Sequence, residues 1–221
     1  MVSGPIFNPR EVVSTPVDGD IEKAISSDWA FDHVEDIDAH MCDFLQKLRT
    51  GQYTFMPYDP TASNAAFTIV VDTLYAHQFF LPRDMTFDRI AIRISTAVGG
   101  SSVRLGIYED GVNLYPGALL LDAGVVSSAT TGLKEITINQ AVPKGLYWLV
   151  AVSDAGPAAW KYTSVSASPT GITLDATPSV NRGWRVAQAF GALPDPFTGG
   201  GTLLTGNTVQ PAVRLRPLSM D

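Results

Sequence analysis

The sequence predicts a mainly β protein: a single antiparallel β-sandwich, jelly-roll-like, preceded by an extended arm and one α-helix. Three observations carry this. Between residues 86 and 154, successive runs alternate apolar with polar or small side chains, the period-2 pattern of half-buried strands. Each run is bounded by Gly, Pro or Asp-Gly, the residues that tight turns demand. The composition agrees, since 19 Gly, 15 Pro and only 17% charged residues fit many short strands joined by turns.

Taken in order, residues 1–20 read as an extended arm punctuated by Pro5, Pro9 and Pro16, which cannot build a core of its own. A helix is expected over 29–49. Ser27 or Asp28 can cap its start, Asp32 and Glu35 complement the dipole in its first turns, and Lys47 and Arg49 do so at its end. Gly51 is placed to end it in a left-handed turn. Val34, Ile37, Met41, Phe44 and Leu48 recur at 3-4-3-4 spacing, a narrow apolar seam suited either to docking once on the sandwich or to packing against like copies or a partner. The second of these is the one the polar flanks favour. The division expected is therefore 1–50, an anchoring and oligomerising part, and 51–221, the sandwich.

Strands are expected at 66–72, 74–81, 86–95, 102–109, 118–126, 133–139, 145–153, 158–163, 184–189 and 212–216. Residues 109–111 give a hairpin signal, and Pro116 with Gly117, and Pro143 with Gly145, mark corners. The run 146–151 is the most apolar, which puts Trp148 in the core. Ten short strands without helical periodicity between them indicate a sandwich.

Charge narrows the partners. The net charge of −7 argues against sequence-independent nucleic-acid binding, which needs a cationic face. It also disfavours anionic membranes. Ten acidic and four basic side chains fall in residues 1–50, while the rest of the chain is nearly balanced. The apolar run 118–121 stops at Asp122, and no run approaches the roughly 20 residues that span a bilayer, so no membrane insertion is expected. Cys42 is the sole cysteine, which excludes an internal disulfide framework. With no secretory pattern at residues 1–9, assembly in a cytoplasm is expected.

No catalytic constellation stands out, so a non-enzyme without metal or cofactor is expected. His33, His40 and Cys42 match no zinc spacing, and His77 reads as a satisfied sheet residue. The carboxylates are scattered, where a glycosidase needs two converging across a cleft. The GGG of 199–201 lacks the strand-to-helix context of a phosphate loop. Binding is better served by the aromatics after residue 155. Trp160, Tyr162, Trp184 and Phe197, with Arg185 nearby, are candidate glycan or subunit contacts. Trp160 and Trp184 are equally readable as core; Phe197, beside Pro194, Pro196 and the glycines, is expected to be exposed or pressed on a neighbouring subunit.

The segments TFDRI (86–90), VRLGIY (103–108), PGALLLDAG (116–124) and LYWLVA (146–151) resemble successive strands of β-sandwich modules in tail and appendage proteins of tailed bacteriophages. The segment 16–24, with Trp29, Ile37 and Phe44, is similar to the short segment and helix that open many phage fibre and spike proteins. The resemblance covers about two thirds of the chain and leaves residues 155–206 unmatched. It implies a virion structural protein, assembled in the bacterial host: a tail fibre, tail-tip or head-spike component, anchored by its N-terminal part. It further implies other virion proteins as partners, a homo-oligomer with a trimer favoured, and contact with host surface polysaccharide. Two other functions fit the same residues: a stand-alone carbohydrate-binding module, and a capsid or tail decoration protein touching only virion proteins.

Overall fold

Alternating side chains need two sheets to face, and the chain supplies them. The computed structural model describes residues 51–53, 66–81, 83–160, 181–205 and 210–219, with the backbone of 12–13 and 24–25. It divides into two units, Met1–Gln46 and Lys47–Asp221, each taken by itself. In the first, β1 (Val12–Val13) pairs in parallel with β2 (Ala24–Ile25). The helix expected over 29–49, with its seam of Val34, Ile37, Met41, Phe44 and Leu48, lies outside the described residues, as do His33, His40 and Cys42.

The second unit is a mainly β, antiparallel sandwich. Its strands are β3 (Ala66–Thr68), β4 (Thr73–Leu81), β5 (Met85–Thr96), β6 (Ser102–Asp110), β7 (Pro116–Ser127), β8 (Gly132–Val142), β9 (Gly145–Ser153), β10 (Ala158–Trp160), β11 (Asn181–Ala187), β12 (Thr202–Thr205) and β13 (Val213–Ser219). The run β4–β5–β6 lies antiparallel to the run β9–β8–β7, strand for strand, from Leu81↔Gly145 through Ile90↔Ile136 to Ser102↔Ser127. This is one long hairpin rolled across two sheets, closed by the pairing of β6 with β9. A hairpin wound this way is the jelly-roll arrangement.

The six-stranded sheet has the order β12-β11-β4-β9-β6-β7. In the other sheet β5 is central, with β8 on one edge and β13 and β10 end to end along the other. The Ala212 amide joins those two by donating to the Trp160 carbonyl at 2.9 Å. The main core lies between the sheets and includes Phe79, Phe87, Ile90, Ile92, Leu105, Ile107, Leu149 and Leu215.

A second core covers the opposite face of the six-stranded sheet. There Leu74, Tyr108, Trp148, Val150 and Val152 pack under Leu193 and Phe197. Strand β9 is thus buried on both faces, which explains why 146–152 is nearly continuously apolar. The covering segment, 188–201, has no strand or helix and is held by side chains. Tyr108 donates its hydroxyl to the Pro194 carbonyl at 2.6 Å, Tyr115 donates to Thr198 at 2.6 Å, and the Phe197 amide donates to Gly117 at 2.9 Å. Gly106 lets this strap sit down: a Cβ there would stand 2.2 Å from the Leu193 side chain and 2.6 Å from the Leu121 carbonyl.

Asp122 anchors the strap to the sheet. Its carboxylate accepts from Arg104 Nε at 2.8 Å, the Leu193 amide at 3.1 Å and the Gly124 amide at 3.1 Å. Partial burial works to raise its pKa, but those donors outweigh it and hold the carboxyl below its ordinary value. Asp122→Asn keeps the shape and removes the charge, and its expected cost is about 2 kcal/mol in urea denaturation. A loss under about 0.5 kcal/mol, the size of an ordinary surface substitution, would show that the strap does not rely on it.

Four expectations are corrected by the fold. Pro116 and Gly117 do not form a corner; Pro116 opens β7, and the turn is 111–115, where Asn113 and Leu114 take φ of 60° and 53°. Strand β11 starts at Asn181, ahead of the expected 184, and β12 lies in a stretch read as irregular. Phe197 is neither exposed nor available to another subunit. It is 4% exposed, because the edge of its ring fills a site between Tyr108 and Tyr115.

Candidate functional site

Period-2 alternation sends Ile90, Ile92 and Ile94 of β5 inward and leaves Arg89, Ala91 and Arg93 on the outer face. Registration with β13 places Arg214 beside Ala91 and Arg216 beside Arg89, and registration with β8 places Glu135 opposite Ala91. Four arginines therefore share one sheet face. At its upper edge stands Trp160, the last residue of β10, whose neighbour Ala159 pairs with Ile94.

The guanidinium of Arg93 lies 4.4 Å from the centroid of the Trp160 ring, and that of Arg214 lies 5.6 Å from it. Cations over an indole face gain about 0.5–1 kcal/mol each at exposed sites, and more when dried. The ring is half-buried and Arg93 is exposed. No carboxylate among the described residues pairs with Arg93.

The lower half of the face is neutralised. Asp88 takes a two-pronged hydrogen bond from Arg216, at 2.8 Å from Nε and 2.6 Å from Nη2, and lies 3.6 Å from Arg89. The Arg216 contact holds the Asp88 carboxyl below its usual range against partial desolvation, and Asp88 in turn raises the Arg216 pKa. Tyr53 lies with its ring 6.0 Å from Arg216 and its hydroxyl on Glu135. Burial, then that hydrogen bond, pushes the Tyr53 hydroxyl up, so it stays un-ionised. Asp88 and Glu135 are thus engaged by Arg216, Arg89 and Tyr53.

The other expected contacts do not gather there. Trp184 lies under the strap on the far sheet, donating from Nε1 to the Leu114 carbonyl at 2.7 Å and meeting Tyr115 edge-on at 4.8 Å. Arg185, next in β11, points the other way and is exposed. Phe197 is core, as above. Tyr162 lies outside the described residues. Of the four that are described, only Trp160 belongs to the arginine face.

Comparison of the chain with protein-family models, curated proteins and solved structures returns no match. What the molecule does must be argued from its residues. All seven described aspartates accept hydrogen bonds from backbone amides, Trp148 or arginines: Asp72, Asp84, Asp88, Asp110, Asp122, Asp154 and Asp195. Asp88 ties β5 to β13 through Arg216, and each of the others fixes a turn, a strand end or the strap. His77 is buried in β4, hydrogen-bonded toward the Val213 backbone, and burial drives its pKa down to about 3. These groups build the scaffold, and the Trp160 face presents an aromatic plane flanked by cations. That chemistry stacks a ring and attracts an anion.

The sequence singled out Trp160 and missed the arginines around it. The available signal was the alternation RIAIR (89–93) and VRLR (213–216), apolar on one face and cationic on the other. Their convergence was not readable, because it depends on β13 lying beside β5.

Proposed function

We propose that the chain is a non-enzymatic structural protein of a tailed phage or phage-like particle, a tail fibre, tail-tip or head-spike component. Its N-terminal part anchors it among other virion proteins, and its sandwich faces outward. The outer face around Trp160 meets host surface glycan, with the indole stacking a sugar ring and Arg93 and Arg214 bonding its oxygens. The virion role is supported by the segments at 86–90, 103–108, 116–124 and 146–151, which belong to the strands that form the rolled hairpin. Glycan contact is supported by one observation above others: the half-buried indole of Trp160 lies within cation–π distance of two guanidiniums, Arg93 and Arg214, on the outer face of the sheet.

The test is binding of wild type and Trp160→Ala to purified host surface polysaccharide. Losing one aromatic stacking platform is worth about 1–3 kcal/mol in comparable ring-stacking sites. The affinity is therefore expected to fall about 5- to 150-fold, with thermal melting little changed. Equal binding by the two proteins would remove Trp160 from the contact. Binding by neither would favour a decoration role, in which the sandwich touches only virion proteins.

A further inference from the structure

Antiparallel pairing of β4 and β11 sets Tyr75 directly opposite Arg185. Where the β3–β4 turn, β11 and the start of β12 meet, the sandwich carries an open cleft of about 370 Å³. Val70, Thr73, Tyr75, Arg185, Ala187 and Thr202 line it. This size sits at the lower end of the roughly 300–1,000 Å³ of small-molecule sites, enough for one sugar residue or a small acid.

The Tyr75 side chain is 2% exposed, yet its hydroxyl makes no hydrogen bond of ordinary geometry. Buried polar groups left this way are uncommon, and each calls for an explanation such as a missing ligand. The Val70 backbone N–H and the Arg185 guanidinium both face the same hydroxyl oxygen. Arg185 has no carboxylate partner among the described residues. The amide and the guanidinium thus turn toward the Tyr75 oxygen, which leaves the Tyr75 O–H as a buried donor with no acceptor. Thr73 donates its hydroxyl to the Val71 carbonyl at 3.3 Å.

We propose that this cleft binds a carboxylate, Arg185 holding it by a charge-assisted pair while Tyr75 and the Val70 amide supply further donors. Val70 and the methyl groups of Thr73, Ala187 and Thr202 give the apolar wall that one face of a sugar ring or a short acyl group would use. The same chemistry recognises a free organic acid and a uronic-acid residue of an acidic glycan. The site stands apart from the Trp160 face and does not depend on it.

The test is an amide and arginine side-chain NMR titration of the full chain with glucuronate, with acetate and glucose alongside. Saturable shifts at Val70, Gly200 and the Arg185 Nε–H are expected with glucuronate, and none with glucose. Saturation by acetate at similar strength assigns the site to free acids; much tighter binding of glucuronate assigns it to acidic sugars. Arg185→Ala, a change at an exposed position, is expected to weaken glucuronate about tenfold or more. Tyr75→Phe is expected to weaken it severalfold with the fold intact. Trp160→Ala is expected to leave it unchanged, which separates this site from the proposed glycan face. Absence of saturable shifts, equal shifts with glucose, or undiminished binding by Arg185→Ala would each overturn the proposal.

Discussion

Replacing Phe197 by Ala is expected to lower the unfolding free energy by about 3–5 kcal/mol, the range for truncating a buried aromatic. The ring is 4% exposed, and it meets Tyr108 edge-on at 5.2 Å and Tyr115 at 5.5 Å. Such pairs add about 0.5–1.5 kcal/mol beyond the area they bury. Both tyrosines also hold the strap through their hydroxyls, so the cavity would loosen the hydrogen bonds that surround it. Burial, then the charges of Asp122 and Asp195, raises the Tyr108 pKa and keeps that hydroxyl a donor. Urea denaturation measures the loss, and near-ultraviolet circular dichroism reports the aromatic cluster. A cost below about 1 kcal/mol would mean that the strap merely rests on the sheet.

The contrast between Phe197 and Trp148 shows what this sequence makes legible. Trp148 lies in a continuous apolar run with turn residues at both ends, so local pattern alone puts it inside, where it is found fully buried. The neighbouring strands were readable from local pattern too. The clearest is β8, whose exposed and half-buried positions alternate from Gly132 to Ala141. Phe197 has no such neighbours. It sits among prolines and glycines in a segment without any period, and its burial comes from Tyr108 and Tyr115, which are remote in sequence. Local reasoning took the absence of pattern for exposure, and the second core was missed with it.

The candidate sites follow the same rule. Trp160 and Arg185 were picked out by residue type, but their partners were set by registration between distant strands. Arg214 reaches Trp160 because β13 and β10 share an edge of β5, and Tyr75 faces Arg185 because β11 pairs with β4. Side-chain alternation predicts which face a residue takes within its own strand. It does not predict which strand lies alongside.

Acid is expected to destabilise the sandwich well above the range in which its carboxylates titrate, and His77 is the reason. The imidazole is 2% exposed in β4. Burial, reinforced by the positive charge of Arg214 and only partly offset by the Val213 backbone, lowers its pKa from 6.5 to about 3. The folded protein therefore holds His77 neutral while the unfolded chain takes up a proton below about pH 6.5. Between those values the unfolded state binds more protons, so stability rises with pH and is lost as pH falls. Each pH unit inside the window is worth about 1.4 kcal/mol, which comes to about 2 kcal/mol between neutrality and pH 5. His77→Gln removes the titration and retains a polar side chain beside Val213. Its stability is expected to fall less steeply than the wild type's between pH 7 and pH 5, by about that 2 kcal/mol difference. Taking the difference between the two proteins cancels the titration of every other group, His33 and His40 included. Parallel pH profiles for wild type and variant would sink the assignment. So would a His77 ring resonance that titrates near pH 6, because a group protonated in the folded state cannot drive unfolding by taking up that proton.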